Sequence, residues 1–284
     1  MIQEQELHQF IEQALYEDIR NIGDLSSLSS IDRDTKGTAK LLVKDEGILC
    51  GMSVAKAIAQ KVDDTLQFEE LIKEGSTVKF GNIAFYLEGN AISILTAERL
   101  ILNCMQRMSG IATTTQKYAK AIEGTNAKVI DTRKTTPNLR FLEKYAVTVG
   151  GGFNHRFGLY DMIMLKDNHI DFCGGITKAI QKVRKYLSDN NLSLKIEVET
   201  RNIDDVKEIL ACGGIDRIML DNYKPEDCKM AVELINKQYE VEASGGITLE
   251  TIRAYAETGV DFISVGALTH SVKSLDLSLK ATFK

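Results

Sequence analysis

The chain lacks a cysteine framework, an excess of positive charge and any long apolar run. Its five cysteines (Cys50, Cys104, Cys173, Cys212 and Cys228) are odd in number, scattered, and never spaced C-x-x-C. That argues against a disulfide scaffold or a cysteine zinc site and for a reducing compartment. Cys173 and Cys212 precede glycines and read as buried spacers. The formal charge is −5, so the global basic field of nucleic-acid binders is missing. No apolar stretch is long enough to span a bilayer. The start, Met1-Ile2-Gln3-Glu4-Gln5-Glu6, is acidic and has no apolar signal core. The expectation is a cytoplasmic protein with neither membrane nor nucleic acid as partner.

What is present is an ordinary globular composition, 44% hydrophobic and 26% charged over 284 residues, enough for one large or two moderate domains. Leu7, Phe10, Ile11, Ala14, Leu15 and Ile19 recur at helical spacing. Short β-type runs punctuated by Gly75, Gly81 and Gly89-Asn90 follow, up to Leu95. Thr96 reads as the N-cap of a long apolar helix. Residues 1–112 are thus expected to form an α+β domain.

Beyond it the rhythm changes. Runs at Lys128–Ile130, Met162–Leu165, Ile196–Val198, Arg217–Leu220, Val241–Ala243 and Phe262–Val265 alternate with helical patterns. Strand-helix repetition implies parallel strands with helical crossovers. Each run ends in polar residues or glycine, and convergence of several strand ends points to a TIM-like barrel rather than an open sheet. Six strands are clear, and Ala146–Val149 reads as a hidden seventh. The barrel is assigned 113–267, with the tail 268–284 packing back on the first domain.

Cations cluster after two of these strands: Arg133 and Lys134, next to Thr132, then Lys166, with His155 and Arg156 behind Gly150-Gly151-Gly152. Such a set suits a substrate carrying several carboxylates or phosphates. His155 reads as an anion contact and His169 as a structural hydrogen-bonding residue in its turn. Neither has a zinc-type spacing. Ser244-Gly245-Gly246 and Val265-Gly266-Ala267 read as a phosphate cradle, the first with a helix beginning at Thr248. Glu199 and Asp221 end successive strands and suit Mg²⁺, which takes one or two carboxylates plus substrate phosphates. Glu197, two residues earlier, supports the site from inside the barrel. Lys134 or Lys166 as a Schiff-base lysine is an alternative, though it leaves Arg133, Arg156 and the carboxylate pair without a task.

The motifs Asp131-Thr132-Arg133-Lys134-Thr135-Thr136-Pro137, Gly151-Gly152-Phe153-Asn154-His155-Arg156, Lys166-Asp167-Asn168-His169, Glu197-Val198-Glu199, Leu220-Asp221-Asn222 and Ser244-Gly245-Gly246-Ile247, in this order, resemble the quinolinate phosphoribosyltransferases. Ala97-Glu98-Arg99 and Val265-Gly266-Ala267-Leu268-Thr269-His270 extend the resemblance over nearly the whole chain. Asn138 stands where that family usually has glycine, and asparagine tolerates the left-handed conformation. The resemblance implies an N-terminal α/β sandwich and an incomplete α/β barrel. It also implies a homodimer sharing its sites, and Mg²⁺-dependent conversion of quinolinate and phosphoribosyl pyrophosphate to nicotinate mononucleotide, pyrophosphate and CO₂. It implies that Arg99, Arg133, His155 and Arg156 hold quinolinate, with Lys134 and Lys166 lining the anionic centre. Glu199 and Asp221 would hold ribose and Mg²⁺, and residues 244–246 with Gly266 the 5′-phosphate. Lys134, Glu199 and Asp221 are the catalytic candidates.

Overall fold

The computed structural model describes residues 2–282. The chain falls into two compact units. The first comprises the residues up to Gln116, Thr136–Gly151 and those from Ser271 on. The first helix, Glu4–Ile19, buries Leu7, Ile11 and Leu15, one residue per turn on one face. The strands β1 (Lys36–Val43), β2 (Gly47–Ile48), β3 (Gln67–Glu70), β4 (Thr77–Val78) and β5 (Ile83–Asn90) follow. The C-terminal strand Leu277–Thr282, β1, β5 and β3 form one antiparallel sheet in that order, and β2 pairs with β4. In β1 the buried residues Ala39, Leu41 and Val43 alternate with more exposed ones, as a strand with one covered face requires.

The long helix is Ala91–Ala121 and begins earlier than its expected cap. Asn90, not Thr96, closes its N-terminus: Asn90 Oδ1 accepts from the N–H groups of Ile92 at 3.0 Å and Ser93 at 3.2 Å. Thr96 lies inside the helix and donates to Ile92 O at 2.9 Å. The expected seventh strand at Ala146–Val149 is instead the end of the helix Arg140–Val149. Phe141, Leu142, Glu143, Lys144, Ala146 and Val147 are all buried, so the helix is enclosed on several sides. Segment 136–151 groups with this first unit, whereas the sequence boundaries had put it in the barrel. Asn138 has φ +63°, the conformation its glycine-like position required.

The second unit comprises Lys117–Thr135 and Gly152–His270. It contains β6 (Lys128–Ile130), β7 (Ile163–Leu165), β8 (Ile196–Thr200), β9 (Arg217–Asp221), β10 (Glu240–Ser244) and β11 (Phe262–Ser264). All pair in parallel in the order β6-β11-β10-β9-β8-β7. A further barrel position comes from a single bridge, Ile130 to Phe153. The strands are buried on both faces, as in other parallel sheets covered by helices.

Period two divides each strand. Val198, Ile218, Leu220, Val241, Ala243 and Ile263 form an apolar set, whereas Glu197 and Glu199, Arg217 and Asp221, and Glu242 and Ser244 share the opposite faces. Helices alternate with these strands: Asp167–Cys173, Ile176–Asp189, Ile203–Cys212, Pro225–Ile235, Ile252–Ala256 and Ala267–His270. The helix expected from Thr248 begins at Ile252, since Thr248 N–H is taken by Thr251 Oγ1 at 3.0 Å. Cys173 and Cys212 are part-exposed rather than buried, because each sits at a helix end. Among the described residues no helix is long and apolar enough to cross a membrane.

Candidate active site

The C-terminal ends of the barrel strands surround a cavity of about 860 Å³. Its lining includes Thr132, Arg133, Lys134, His155, Arg156, Lys166, Glu199, Asp221, Ser244, Gly245, Gly246, Gly266 and Ala267. Adjacent parallel strands in register bring these distant stretches together, for example Ser244 beside Asp221. Val265 is not in the lining: its side chain is buried and its N–H donates to Ile130 O at 3.0 Å. Arg99 lies exposed on the Ala91–Ala121 helix of the first unit. A larger hollow of about 1060 Å³ opens at the other end of the strands. Its carboxylates are committed: Asp216 and Asp261 to the N–H groups of Ile196 and Val241, both within 2.8 Å, Glu240 to Arg217 and Glu257 to Arg253.

The cations are held together against their mutual repulsion. Burial, and then the charge of Arg133, lower the proton affinity of Arg156. Arg156 Nη1 donates to Met162 O at 3.3 Å. Thr132 Oγ1 accepts the Lys134 N–H at 3.0 Å, and Thr269 Oγ1 donates to Lys134 O at 2.8 Å. The backbone carrying Lys134 is thereby tied to the turn after β11. A multiply charged anion entering here would relieve the Arg133–Arg156 repulsion.

The opposite wall is acidic. Glu199 is raised above the usual carboxylate range by burial and by the charge of Asp221, and Lys166 Nζ stands 3.8 Å from it. Asn222 Nδ2 donates to Asp221 Oδ2 at 2.6 Å. Two carboxylates that repel each other beside a phosphate-type turn fit Mg²⁺, whose charge would relieve that repulsion. His169 accepts the Lys166 N–H on Nδ1 at 3.0 Å, the structural role expected of it.

The turn after β10 carries Gly245 at φ +100° and Gly246 at φ +59°. A Cβ on Gly245 would collide with the Asn222 side chain, whereas at Gly246 nothing lies within 4 Å. A Cβ on Gly266 would meet the Lys134 and His270 side chains at 3.0 Å each. These turns keep bare backbone at the cavity, as an anion cradle demands.

His155 is the most constrained member. Its N–H donates to Asp131 Oδ1 at 2.9 Å, and its Nδ1 accepts the Arg156 N–H at 2.6 Å. Its Nε2 lies 2.9 Å from Glu197 Oε2 and 3.3 Å from Glu242 Oε2. Burial opposes a charged ring and the two carboxylates favour one, so its proton affinity is raised. Burial and the charge of Glu242 push Glu197 up to about 7. With Nδ1 taken up as acceptor of the Arg156 N–H, the ring proton that the geometry holds is the one on Nε2, facing the two carboxylates. Glu242 stays ionised despite its burial, held low by His155 and Arg217. His155, Glu197 and Glu242 offer ligand atoms within 4.8 Å of one another, but Arg217 Nη1, 3.0 Å from Glu242 Oε2, already supplies a positive charge there. Sequence reasoning missed Glu242, Arg217 and His270. The signal for Glu242 was present: two residues before Ser244, it shares that residue's face just as Glu197 shares that of Glu199.

The fold and site define an α/β-barrel enzyme built to receive polyanionic substrates. Residues 111–280 match the quinolinate phosphoribosyl transferase C-terminal domain and residues 24–109 its N-terminal domain, and the chain belongs to this family. It is 45% identical, over 97% of its length and 82% of the relative's, to quinolinate phosphoribosyltransferase [decarboxylating] 2, mitochondrial, of Nicotiana glauca. It is 43% identical to the probable nicotinate-nucleotide pyrophosphorylase [carboxylating] of Bacillus subtilis, covering 98% of this chain and 94% of that one. The solved structure of NadC from Streptococcus pyogenes superposes with a TM-score of 0.93 at 39% identity, covering 100% and 99% of the two chains.

Proposed function

We propose that the chain transfers the phosphoribosyl group of phosphoribosyl pyrophosphate to quinolinate and decarboxylates the product, giving nicotinate mononucleotide, pyrophosphate and CO₂ in NAD biosynthesis. The observation that carries this is one cavity combining the Arg133–Arg156 pair, the Glu199–Asp221 pair and the glycine turns after β10 and β11. Quinolinate brings two carboxylates for the cations, and the donor brings a 5′-phosphate for the glycine turns. Family membership agrees with it.

The pyridine nitrogen has a free lone pair, so its attack on ribose C1 needs no general base. Loss of pyrophosphate places positive charge on the sugar, which Glu199 and Asp221 oppose with negative charge. Lys134 and Lys166 stabilise the departing anion. Once the N–C1 bond has formed, the adjacent C–CO₂⁻ bond breaks and CO₂ leaves; the electron pair stays on the ring carbon, stabilised by the neighbouring cationic nitrogen, and a proton from water then forms the C–H bond. Arg133 and Arg156, holding the carboxylates, orient the ring. Glu199 and Asp221 are the residues that would hold Mg²⁺, which neutralises pyrophosphate charge when bound.

The working unit in this reading is a homodimer in which Arg99 of the partner subunit completes each barrel mouth. Its exposed position on the first unit supports that reading. The five free cysteines support a cytoplasmic setting. The deciding assay is release of labelled CO₂ from carboxyl-labelled quinolinate with phosphoribosyl pyrophosphate and Mg²⁺. CO₂ release dependent on both supports the function; borohydride trapping of a lysine adduct would instead favour Schiff-base chemistry.

A further inference from the structure

From the cavity wall inward runs a chain of charged groups whose mutual contacts the chemistry above does not use. Glu242 is fully buried, with Oε2 3.3 Å from His155 Nε2 on one side and 3.0 Å from Arg217 Nη1 on the other. Arg217 reaches on to Glu240 Oε2 at 3.2 Å and stacks 3.9 Å over the Phe262 ring. At the far side of the imidazole, Nδ1 accepts the Arg156 N–H at 2.6 Å. Arg217, Glu242, His155 and the Arg156 backbone therefore form one continuous series of close polar contacts.

An imidazole accepts at Nδ1 and donates at Nε2 in one tautomer alone. Glu197 Oε2 at 2.9 Å and Glu242 Oε2 at 3.3 Å both stand where that tautomer needs its acceptor, and Glu242 alone is anchored by Arg217. Turning the ring over would put ring carbons against the carboxylate and the Arg156 N–H, and the other tautomer would set a bare Nε2 against the carboxylate and an N–H against the Arg156 N–H; both are costly in a buried site. With ring and tautomer held, the N–H of Arg156 is held, and with it the starting direction of the guanidinium side chain.

We infer that Arg217 and Glu242 are positioning residues: through His155 they set the backbone, and so the guanidinium, of Arg156 for a substrate carboxylate. The inference rests on the reading that this pocket takes quinolinate.

Nitrogen-15 spectra of the wild-type protein test the tautomer directly, with His155 assigned by its loss in His155→Asn. The expected result is a neutral ring protonated on Nε2 with an accepting Nδ1; a proton on Nδ1 overturns the inference. Steady-state kinetics test the consequence. In the double variant Arg217→Met/Glu242→Leu the pair is replaced by apolar side chains, which avoids stranding a buried charge. It should raise the quinolinate KM about tenfold or more, while the phosphoribosyl pyrophosphate KM moves less than about twofold. Equal rises in both constants, or no change, would make the network merely structural and overturn the inference.

His155→Asn retains an oxygen in the place of Nδ1, and His155→Gln does not. Asn should therefore preserve quinolinate affinity better than Gln, and the reverse order counts against the relay. A stoichiometric metal in the purified protein, lost in the double variant, would make the cluster a metal centre and overturn it too. If the double variant fails to fold, the tautomer and the Asn/Gln order still decide. Wild-type quinolinate turnover, measured alongside, separates failure of the substrate reading from failure of the relay.

Discussion

Gly245 and Asn222 are packed so closely that a single added methyl on Gly245 would run into the asparagine amide. Asn222, itself at φ +58°, donates its N–H to Ser244 O at 2.8 Å and its side-chain amide to Asp221. The glycine turn and the acidic wall are thus one mechanical unit.

Gly245→Ala should accordingly disturb both. We expect its phosphoribosyl pyrophosphate KM to rise by about ten- to a hundredfold, as for other shifts of about 1 Å in a positioning group. Gly246→Ala meets no neighbour and should suffer mainly from its left-handed backbone, a strain of order 1–2 kcal/mol. Equal kinetic damage in the two variants would contradict the coupling.

Glu199 and Asp221 lead to a pH prediction. Glu199 is raised by burial and by Asp221, so on acidification it takes up a proton at higher pH than an ordinary carboxylate. A protonated Glu199 is a poor Mg²⁺ ligand, so Mg²⁺ activation should weaken through the mildly acidic range. Asp221→Asn removes the like charge. The acid limb should then shift to lower pH while Mg²⁺ activation weakens at every pH. Titrating Mg²⁺ at several pH values in both proteins checks this; an unshifted limb contradicts it.

Glu197 should leave its mark on stability rather than on chemistry. Its ordinary value is 4.5 and in the fold it lies near 7, so the folded state binds the proton more tightly than the unfolded chain. Its contribution to stability is complete below about 4.5, falls as pH rises, and is lost above about 7. Thermal unfolding followed across this window should show a declining Tm in the wild type and a flatter profile in Glu197→Gln. A Tm that rises with pH equally in both proteins would refute the assignment.

Substrate choice follows from the paired cations. Nicotinate lacks one of the two carboxylates of quinolinate and would leave a pocket cation unmatched. Its kcat/KM should fall by at least about a hundredfold, in line with sites whose polar groups lose their partner. Comparable turnover of the two acids would be incompatible with this use of Arg133 and Arg156.

The shared-site reading is tested by mixing. Arg99→Ala and Lys134→Ala homodimers should each be nearly inactive. If Arg99 acts across the subunit boundary, a mixed dimer has one site with both lesions and one with neither, so activity returns to about half per mixed dimer. No recovery, with exchange verified by native mass spectrometry, removes Arg99 from the partner's site.

The sequence by itself determined the fold class and most residues at the strand ends. Local patterning sufficed there: polar or glycine residues terminate apolar runs, and parallel strands deliver them to one face. It also marked Glu197 as an inward support, because period two is a local property. Helix or strand at Ala146–Val149 was not decidable from so short an apolar run; the adjacent buried residues Ala146 and Val147 belong to a helix enclosed on several sides, not to the alternation of a half-buried strand. The Asn90 cap replaced Thr96 because capping depends on which N–H groups the backbone leaves open. Val265 was drawn into the cradle by sequence adjacency, yet its N–H belongs to the strand ladder. The contacts among His155, Glu242 and Arg217 were decided by tertiary structure alone. Their partners are 25 to 87 positions apart in sequence, and only barrel closure with its register brings them within 3.3 Å.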